Sequence, residues 1–340
     1  MTRVIVTGGL GYIGSHICVE LAKHSCEVLV LDNLTNSTVG VLRNIEKITG
    51  KKIDFIQVDI RMQDKLTDIF DKFRPDAVIH LAGLKSVSES ISKSPEYFDV
   101  NVSGGISVLN AMDNCGCKNI IFSSSATVYG VARYIPIDET HPVDPRNPYG
   151  QSKLIFEDIL KIWSQKESNY RAICLRYFNP VGAHESLLIG DSPIDTPNNL
   201  MPYICRVAIG ELPHLNIFGS DYETRDGSGE RDYIHVCDLA NGHILVLNKL
   251  DTLEHFEVIN LGTGKGTTVL ELIKTFSDVN EVDIPFFATD RRPGDAPISV
   301  TDVSLAKQKL NFSCQFSVND MCYHAWNYHL RLVSVPGRTK

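Results

Sequence analysis

Residues 7–16 read "TGGLGYIGSH", a glycine turn set between a β-branched run and a helical pattern. Gly9, Gly11 and Gly14 fit G-x-G-x-x-G, and Gly8, Gly11 and Gly14 also fit G-x-x-G-x-x-G. Such spacings recur by chance, so context decides. Here the glycines follow the strand-like "RVIVT", open the helix-like "GSHICVELAKH", and lie inside a strand–helix–strand unit. They permit a tight turn and close backbone approach, and the helix N-terminus offers amides and a positive dipole end to a pyrophosphate. The next strand, "EVLVLD", ends at Asp32, at the distance where an acidic side chain accepts hydrogen bonds from adenosine ribose hydroxyls. A carboxylate there repels a 2′-phosphate, and "DNLTNS" supplies no arginine. That selects NAD over NADP.

The alternation continues outward. "DFIQVD", "AVIHLAG", "NIIFSSS" and "RAICLRYF" are short apolar runs separated by helical patterns such as "DKLTDIFDKF". Strands apolar nearly throughout, alternating with helices, imply right-handed crossovers and a sheet covered on both faces. The expected fold is α/β: a doubly wound parallel (Rossmann) sheet over residues 1–178, then a smaller C-terminal substrate-binding lobe over 179–340. The lobe begins where Gly, Pro, Asp, Ser and Asn become frequent. "FEVINLGTGKGTTVLELI" is strand, turn and helix again, and its strand near 257–262 is a candidate to return to the first sheet. "GTGKGT" lacks the register of a phosphate loop and reads as a tight turn. Residues 332–340 read as a loose tail.

Composition narrows the partners. The chain has 340 residues, with 33 Lys plus Arg against 41 Asp plus Glu, a formal net charge of −8. No basic stripe points to nucleic acid or an anionic membrane. The nine cysteines are scattered and odd in number, and Cys115 and Cys117 match no zinc or redox spacing, so no metal is expected. A reduced, cytoplasmic chain is expected, without a signal-peptide core or a membrane-length apolar run.

Residues 147–153, "NPYGQSK", set Tyr149 and Lys153 four apart. Asn147 suits an N-cap and Pro148 the first helical position, so the phenol and ammonium share a face one turn apart. On its own that spacing is commonplace. With a dinucleotide at the carboxyl ends of the strands it gains meaning, because "NIIFSSSATVYG" should end its strand at Phe122 and deliver Ser123, Ser124 and Ser125 to the same crevice. Hydride removal from a secondary alcohol needs a base for the hydroxyl proton. A free tyrosine titrates near ~10, so roughly three units, or about 4 kcal/mol, of preferential phenolate stabilisation is required. Lys153 and the positive charge of oxidised nicotinamide both act in that direction. Ser125 shares the hydrogen bond to the reacting oxygen.

"TGGLGYIGSH", "DNLTNS", "HLAGLKSVSES", "FSSSATVYG", "NPYGQSK", "LRYFNPVGAH", "NNLMPYI" and "GERDYIHVCDLA" resemble, in order and spacing, the UDP-glucose 4-epimerases of the extended short-chain dehydrogenase/reductase group. The resemblance spans about residues 2–330. It implies tightly held NAD, oxidation of the hexose at C4, rotation of the 4-keto sugar, and return of hydride to its other face. It implies Tyr149 as base, Lys153 as its partner and ribose ligand, and Ser125 as hydrogen-bond partner of the sugar oxygen. Implied cofactor contacts are Gly8, Gly11, Tyr12, Ile13, Gly14, Asp32, Asn33, Leu34, Thr35, Asn36, Asp59, Ile60, Leu81, Ala82, Gly83, Lys85 and Tyr177, besides Tyr149 and Lys153. Implied UDP-sugar contacts are Lys85, Ser125, Tyr149, Asn179, Asn199, Leu200, Asn216, Ile217, Phe218, Arg231, Arg292, Asp295 and Ser299. The arginines suit a diphosphate, which an otherwise acidic chain must meet with local, permanently charged donors. Leu81 stands where many relatives have Phe, and Val100 where some carry a second Asn before Asn101. A homodimer is implied too, through helices near 95–114 and 149–166.

Other members of the group are separable. Nucleotide-sugar 4,6-dehydratases carry Thr-Asp-Glu where this chain has Ser125, Ala126 and Thr127, so the acid and base for water removal are missing. A reductase exchanging NADPH conflicts with Asp32. A non-catalytic NAD-binding scaffold conflicts with the intact Tyr149/Lys153 pair. Four residues after Asp295, Ser299 occupies a position that in the resembled family lines the pocket near C2 of the hexose. A small side chain there leaves room for an acetamido group, whereas a tyrosine ring would overlap it. UDP-GlcNAc and UDP-GalNAc are thus expected alongside UDP-Glc and UDP-Gal.

Overall fold

In β1 (Arg3–Thr7), Val4 and Val6 face one side of a sheet and Ile5 the other, and all three are fully buried. Period-two alternation with both faces apolar is what a strand needs when helices cover it on both sides. The computed structural model describes residues 1–193, 197, 199–292 and 296–334. The further strands are β2 (Glu27–Asp32), β3 (Asp54–Gln57), β4 (Ala77–His80), β5 (Asn119–Ser125), β6 (Arg171–Tyr177), β7 (Asn179–Val181), β8 (Leu215–Phe218), β9 (Glu230–His235), β10 (Phe256–Leu261), β11 (Gly266–Thr268), β12 (Phe286–Thr289) and β13 (Ile298–Ser299). The helices are α1 (Tyr12–Lys23), α2 (Val39–Thr49), α3 (Gln63–Phe73), α4 (Val87–Ser92), α5 (Ser94–Phe98), α6 (Gly104–Cys115), α7 (Pro148–Trp163), α8 (Leu200–Ala208), α9 (Val236–Leu247), α10 (Val269–Asn280), α11 (Ser304–Leu310) and α12 (Val318–Ser334).

Seven parallel strands make the main sheet, in the order β10-β6-β5-β4-β1-β2-β3. One face packs on α1, α2, α9 and α11, and the other on α3, α6 and α7. The chain leaves β1 toward β2 on one side and β4 on the other, so a crevice opens at the carboxyl ends of β1 and β4. The glycine loop lies there.

Around β9 a second, smaller sheet pairs β7 and β13 in parallel and β11 antiparallel, and β8 pairs with β12. Its core is built on α8, α10 and α12. β10 lies in the main sheet, in register with β6 from Phe256↔Ala172 to Leu261↔Tyr177. Two details depart from expectation. β5 runs on to Ser125 instead of ending at Phe122, because β6 stays alongside it through Ser125↔Tyr177 and supplies the backbone partners. α12 continues through Ser334, into the stretch read as a tail.

Candidate active site

At Gly8 and Gly14 the glycine loop is closed by backbone contacts that leave no room for a side chain. Gly8 has φ +71°, and a Cβ on it would lie 2.8 Å from the Ala82 nitrogen at the end of β4. A Cβ on Gly14 would lie 2.3 Å from the Gly8 oxygen, which is why α1 can start so near the loop. A Cβ on Gly11, the N-cap of α1, would meet only the Gly8 oxygen, at 3.3 Å, and no side chain caps the helix there. The uncapped first turn, the tight loop and the acidic strand end are a cradle that fits a dinucleotide pyrophosphate.

Asp32, the residue expected at the adenosine side, ends β2 beside the loop. It is 8% exposed, and its carboxylate accepts from the Leu10 nitrogen at 3.1 Å, the Leu34 nitrogen at 2.9 Å and Ser37 Oγ at 2.9 Å. Leu34 is held at φ +64°, an uncommon conformation for a branched residue. Asn33 donates to Asp59 at 3.2 Å and accepts from the Thr35 nitrogen at 3.1 Å. Asp59 also caps the backbone and guanidinium of Arg61, and those bonds hold its carboxyl well below the usual range. Asn36 is exposed on the same rim. Ile60 packs in the core, where it would collide with any side chain at Gly104. Leu81 and Ala82 both donate backbone N–H groups to the Thr7 carbonyl at 3.1 Å, tying the end of β4 to β1. Ile13 packs partly buried beside α1. The Tyr12 hydroxyl donates to the Gly182 carbonyl at 2.8 Å, and that of Tyr177 meets His243 Nε2 at 2.5 Å. Both phenols therefore reach across the fold, and neither hydroxyl faces the crevice unpartnered.

At the reactive end, α7 starts where Asn147 Oδ1 accepts from the Gly150 nitrogen at 2.8 Å, with Pro148 in the first turn, as the sequence requires. Its face carries Tyr149 and Lys153 to the end of β5. Lys153 is 5% exposed, donates to the Ser123 carbonyl at 2.8 Å, and lies 5.9 Å from the centre of the Tyr149 ring. Burial lowers its ammonium to about 8, with Glu157 pulling the other way. Burial also pushes the Tyr149 phenol above its ordinary value, and a hydrogen bond with Ser125 pulls it back. Burial is the larger of the two, so without further positive charge Tyr149 stays a weak acid, with its hydrogen bond to Ser125 favouring the phenolate. Ser125 Oγ is fixed in turn by Thr127, through its hydroxyl at 2.7 Å and its nitrogen at 3.2 Å.

The positions expected to hold the sugar nucleotide are spread over β7, α8, β8, β9 and β13, with Lys85 outside them. Arg231 and Ser299 are register partners. Asn216, Ile217 and Phe218 form most of β8, with Ile217 buried in the lobe's core and the Arg292 guanidinium 3.7 Å over the Phe218 ring. Asn199 is the N-cap of α8 and Leu200 its first residue, while Asn179 begins β7 two residues beyond Tyr177. Lys85 Nζ stands 3.9 Å from Asp191. Asp295 lies outside the described residues.

Two participants were not singled out from the sequence. Asn101 is 3% exposed; its amide donates to the Leu84 carbonyl at 3.0 Å and Ser152 Oγ at 2.9 Å, and it accepts from the Leu84 nitrogen at 2.7 Å. It holds the loop carrying Gly83 against α7, and a Cβ on Gly83 would sit 2.8 Å from its Oδ1. Its segment, Asp99–Ser103, is a π-helical turn, a distortion common near functional sites. The other is Glu157, one turn beyond Lys153.

The profile of the NAD dependent epimerase/dehydratase family matches residues 4–262. A UDP-glucose 4-epimerase of Pasteurella multocida (strain Pm70) is 48% identical over 326 residues, covering 96% of each chain. UDP-glucose 4-epimerase 2 of Arabidopsis thaliana is 46% identical over 329 residues, covering 96% of this chain and 94% of that one. The chain belongs to the UDP-glucose 4-epimerases. A crystal structure of the Stenotrophomonas maltophila UDP-glucose 4-epimerase, with bound NAD and formylated UDP-arabinopyranose, superposes with a TM-score of 0.96 at 44% identity, covering 98% of this chain and 99% of that one. As a member of this epimerase family the protein is an NAD-dependent isomerase.

Proposed function

We propose that the protein interconverts UDP-glucose and UDP-galactose, and also UDP-GlcNAc and UDP-GalNAc, with Tyr149 as the proton-transferring residue. The observation that carries this reading is the convergence of Tyr149, Ser125 and Lys153 at the carboxyl end of β5, beside the glycine loop. NAD supplies the hydride acceptor and donor when bound. Tyr149 takes the proton from the C4 hydroxyl and later returns one to the keto oxygen. Ser125 shares that oxygen, and Lys153 stabilises the phenolate by charge, so that two modest effects lower a barrier neither removes alone. The oxidised cofactor's positive charge adds to Lys153 and offsets the upward push of burial on Tyr149.

In this reading residues 1–178 bind NAD and 179–340 bind the UDP-sugar. Arg231, Arg292 and Asp295 meet the diphosphate and ribose, Phe218 with Asn216 and Ile217 the base, and Asn179, Asn199, Leu200 and Lys85 the remainder. Ser299, beside Arg231, leaves volume at C2 for an acetamido group. The reading extends to a cytoplasmic homodimer. Exposed Ile106 on α6 and Ile162 on α7 support pairing through those helices, and no helix among the described residues is long and apolar enough to cross a membrane. The test is incubation of the purified protein with UDP-galactose and, separately, UDP-GalNAc, followed by separation of the 4-epimers. Conversion of both is expected. No conversion of either overturns the reading, and conversion of the first alone overturns its N-acetyl part.

A further inference from the structure

Three consecutive residues at the end of β5 each engage a different turn of α7. Ser125 bonds Tyr149, the Ser123 carbonyl accepts from Lys153, and Ser124 Oγ donates to Glu157 Oε1. Tyr149, Lys153 and Glu157 are each four apart, so they form one stripe down the helix. The third rung has no place in the proton transfer described above, yet it is the most buried. Glu157 is 2% exposed and is gripped bidentately by Arg176 of β6, at 3.0 Å and 2.5 Å. Arg176 is 5% exposed, is the register partner of Ser124, and lies 4.7 Å over the ring of Tyr129, whose hydroxyl donates to Asn260 of β10 at 2.6 Å.

We propose that Glu157 is a positioning residue for the epimerase reaction, locking the Ser123–Ser125 strand end to α7 and setting a negative charge behind the Lys153 ammonium. A buried ion pair contributes little to stability compared with well-packed apolar side chains, so stability alone is a weak reason for this one. Its location gives a better one. Glu157 on α7 and His80 on β4 act on Lys153, with Tyr149 beside it on its own helix; on β6, Arg176 and Cys174 neighbour Glu157, and Tyr177 acts on Tyr149. Burial holds His80 neutral, at about 3, and pushes Tyr177 and Cys174 up, so none of these three carries charge at neutral pH. Arg176 is the cation spent on Glu157. Glu157 is then the fixed anion that opposes the burial of Lys153.

The proposal rests on Tyr149 and Lys153 being the catalytic pair, and the test separates the two claims. Glu157→Gln alone strands Arg176 in the core and risks unfolding, so the variant of choice is Glu157→Leu with Arg176→Met, which replaces the pair by apolar volume. Epimerisation of UDP-galactose is followed against pH, with NAD content measured in the same samples. The expected result is a folded, NAD-retaining enzyme with KM little changed. Its kcat is reduced about tenfold, and the alkaline limb moves about one pH unit lower. A folded double variant with the parent's kcat and alkaline limb overturns the proposal. Should that variant not fold, Ser124→Ala decides, because it leaves the ion pair in place: a severalfold loss of kcat at constant KM supports the proposal, and the parent's kcat overturns it. Tyr149→Phe is run alongside. If that enzyme is fully active, the catalytic pair itself is misassigned; if it is inactive while the double variant behaves as the parent, only the role of Glu157 falls.

Discussion

Tyr149 sits in surroundings that favour its neutral form, because burial outweighs the hydrogen bond from Ser125. The role proposed for it therefore depends on neighbours that bring positive charge, and Lys153, 5.9 Å from its ring centre, is the candidate on its own helix. Tyr149→Phe removes the oxygen proposed to transfer the proton while keeping the ring. It should leave fold and NAD content intact and cut kcat by about 10²–10⁴-fold, the usual worth of a positioned acid–base group. Full activity would sink the assignment. Lys153 titrates at about 8, below an ordinary lysine, so its charge is present at neutral pH and lost as pH rises through that value. The rate should accordingly fall on the alkaline side near that pH. Lys153→Ala should abolish the limb and also weaken NAD retention, since the same ammonium is assigned to the ribose. Ser299→Tyr tests the proposed C2 pocket: kcat/KM for the N-acetylated pair should drop far more than for the plain hexoses, and equal losses would show that this position does not select at C2.

Among the elements, the loop between β1 and α1 is where backbone geometry is least forgiving. Gly14→Ala would set a methyl 2.3 Å from the Gly8 oxygen and 2.7 Å from the Gly9 Cα, so α1 must move off the loop. Loss of retained NAD and destabilisation of about 1–3 kcal/mol are expected, read from cofactor content and denaturant unfolding. Gly40→Ala is the matching control. Gly40 lies in α2 with only Thr38 Oγ1 nearby, at 3.4 Å, and the substitution should stabilise by up to ~1 kcal/mol through helix propensity. The same loop shows why so much was readable beforehand. Glycine spacing, strand alternation and the Asn147–Pro148 helix start are local signals, and local signals survive in a bare sequence. The grip of Arg176 on Glu157 and the clasp of Asn101 on Leu84 join separate elements through side chains that any surface might carry. Nothing local marks them. The end of β5 was misjudged for a related reason: three serines look like a turn until β6 is seen beside them.

At the scale of the whole molecule, burial has left several histidines unable to protonate. His16, His80 and His235 are lowered to about 3, and His243 and His329 to about 4, with burial the main cause in each. Their folded values lie below the unfolded ~6.5, so between that pH and about 4 the unfolded chain binds protons that the native chain refuses. Each such histidine makes stability fall by up to about 1.4 kcal/mol per pH unit as pH decreases through that window. Glu139, Asp232 and Asp238, raised by burial, offset part of this. Tm should therefore decline steeply below about pH 6, and a Tm unchanged between neutrality and pH 4 would contradict the buried-histidine account. The larger claim is that one chain holds its cofactor and its sugar close enough for hydride to leave and return within a single turnover. The most direct measurement supplies UDP-galactose to the purified protein with no added NAD, following UDP-glucose formation and reduced-nicotinamide absorbance together. Many turnovers to UDP-glucose with no accumulating reduced nicotinamide are expected; reduced nicotinamide rising in proportion to product, or turnover that stops until NAD is added, would contradict the account.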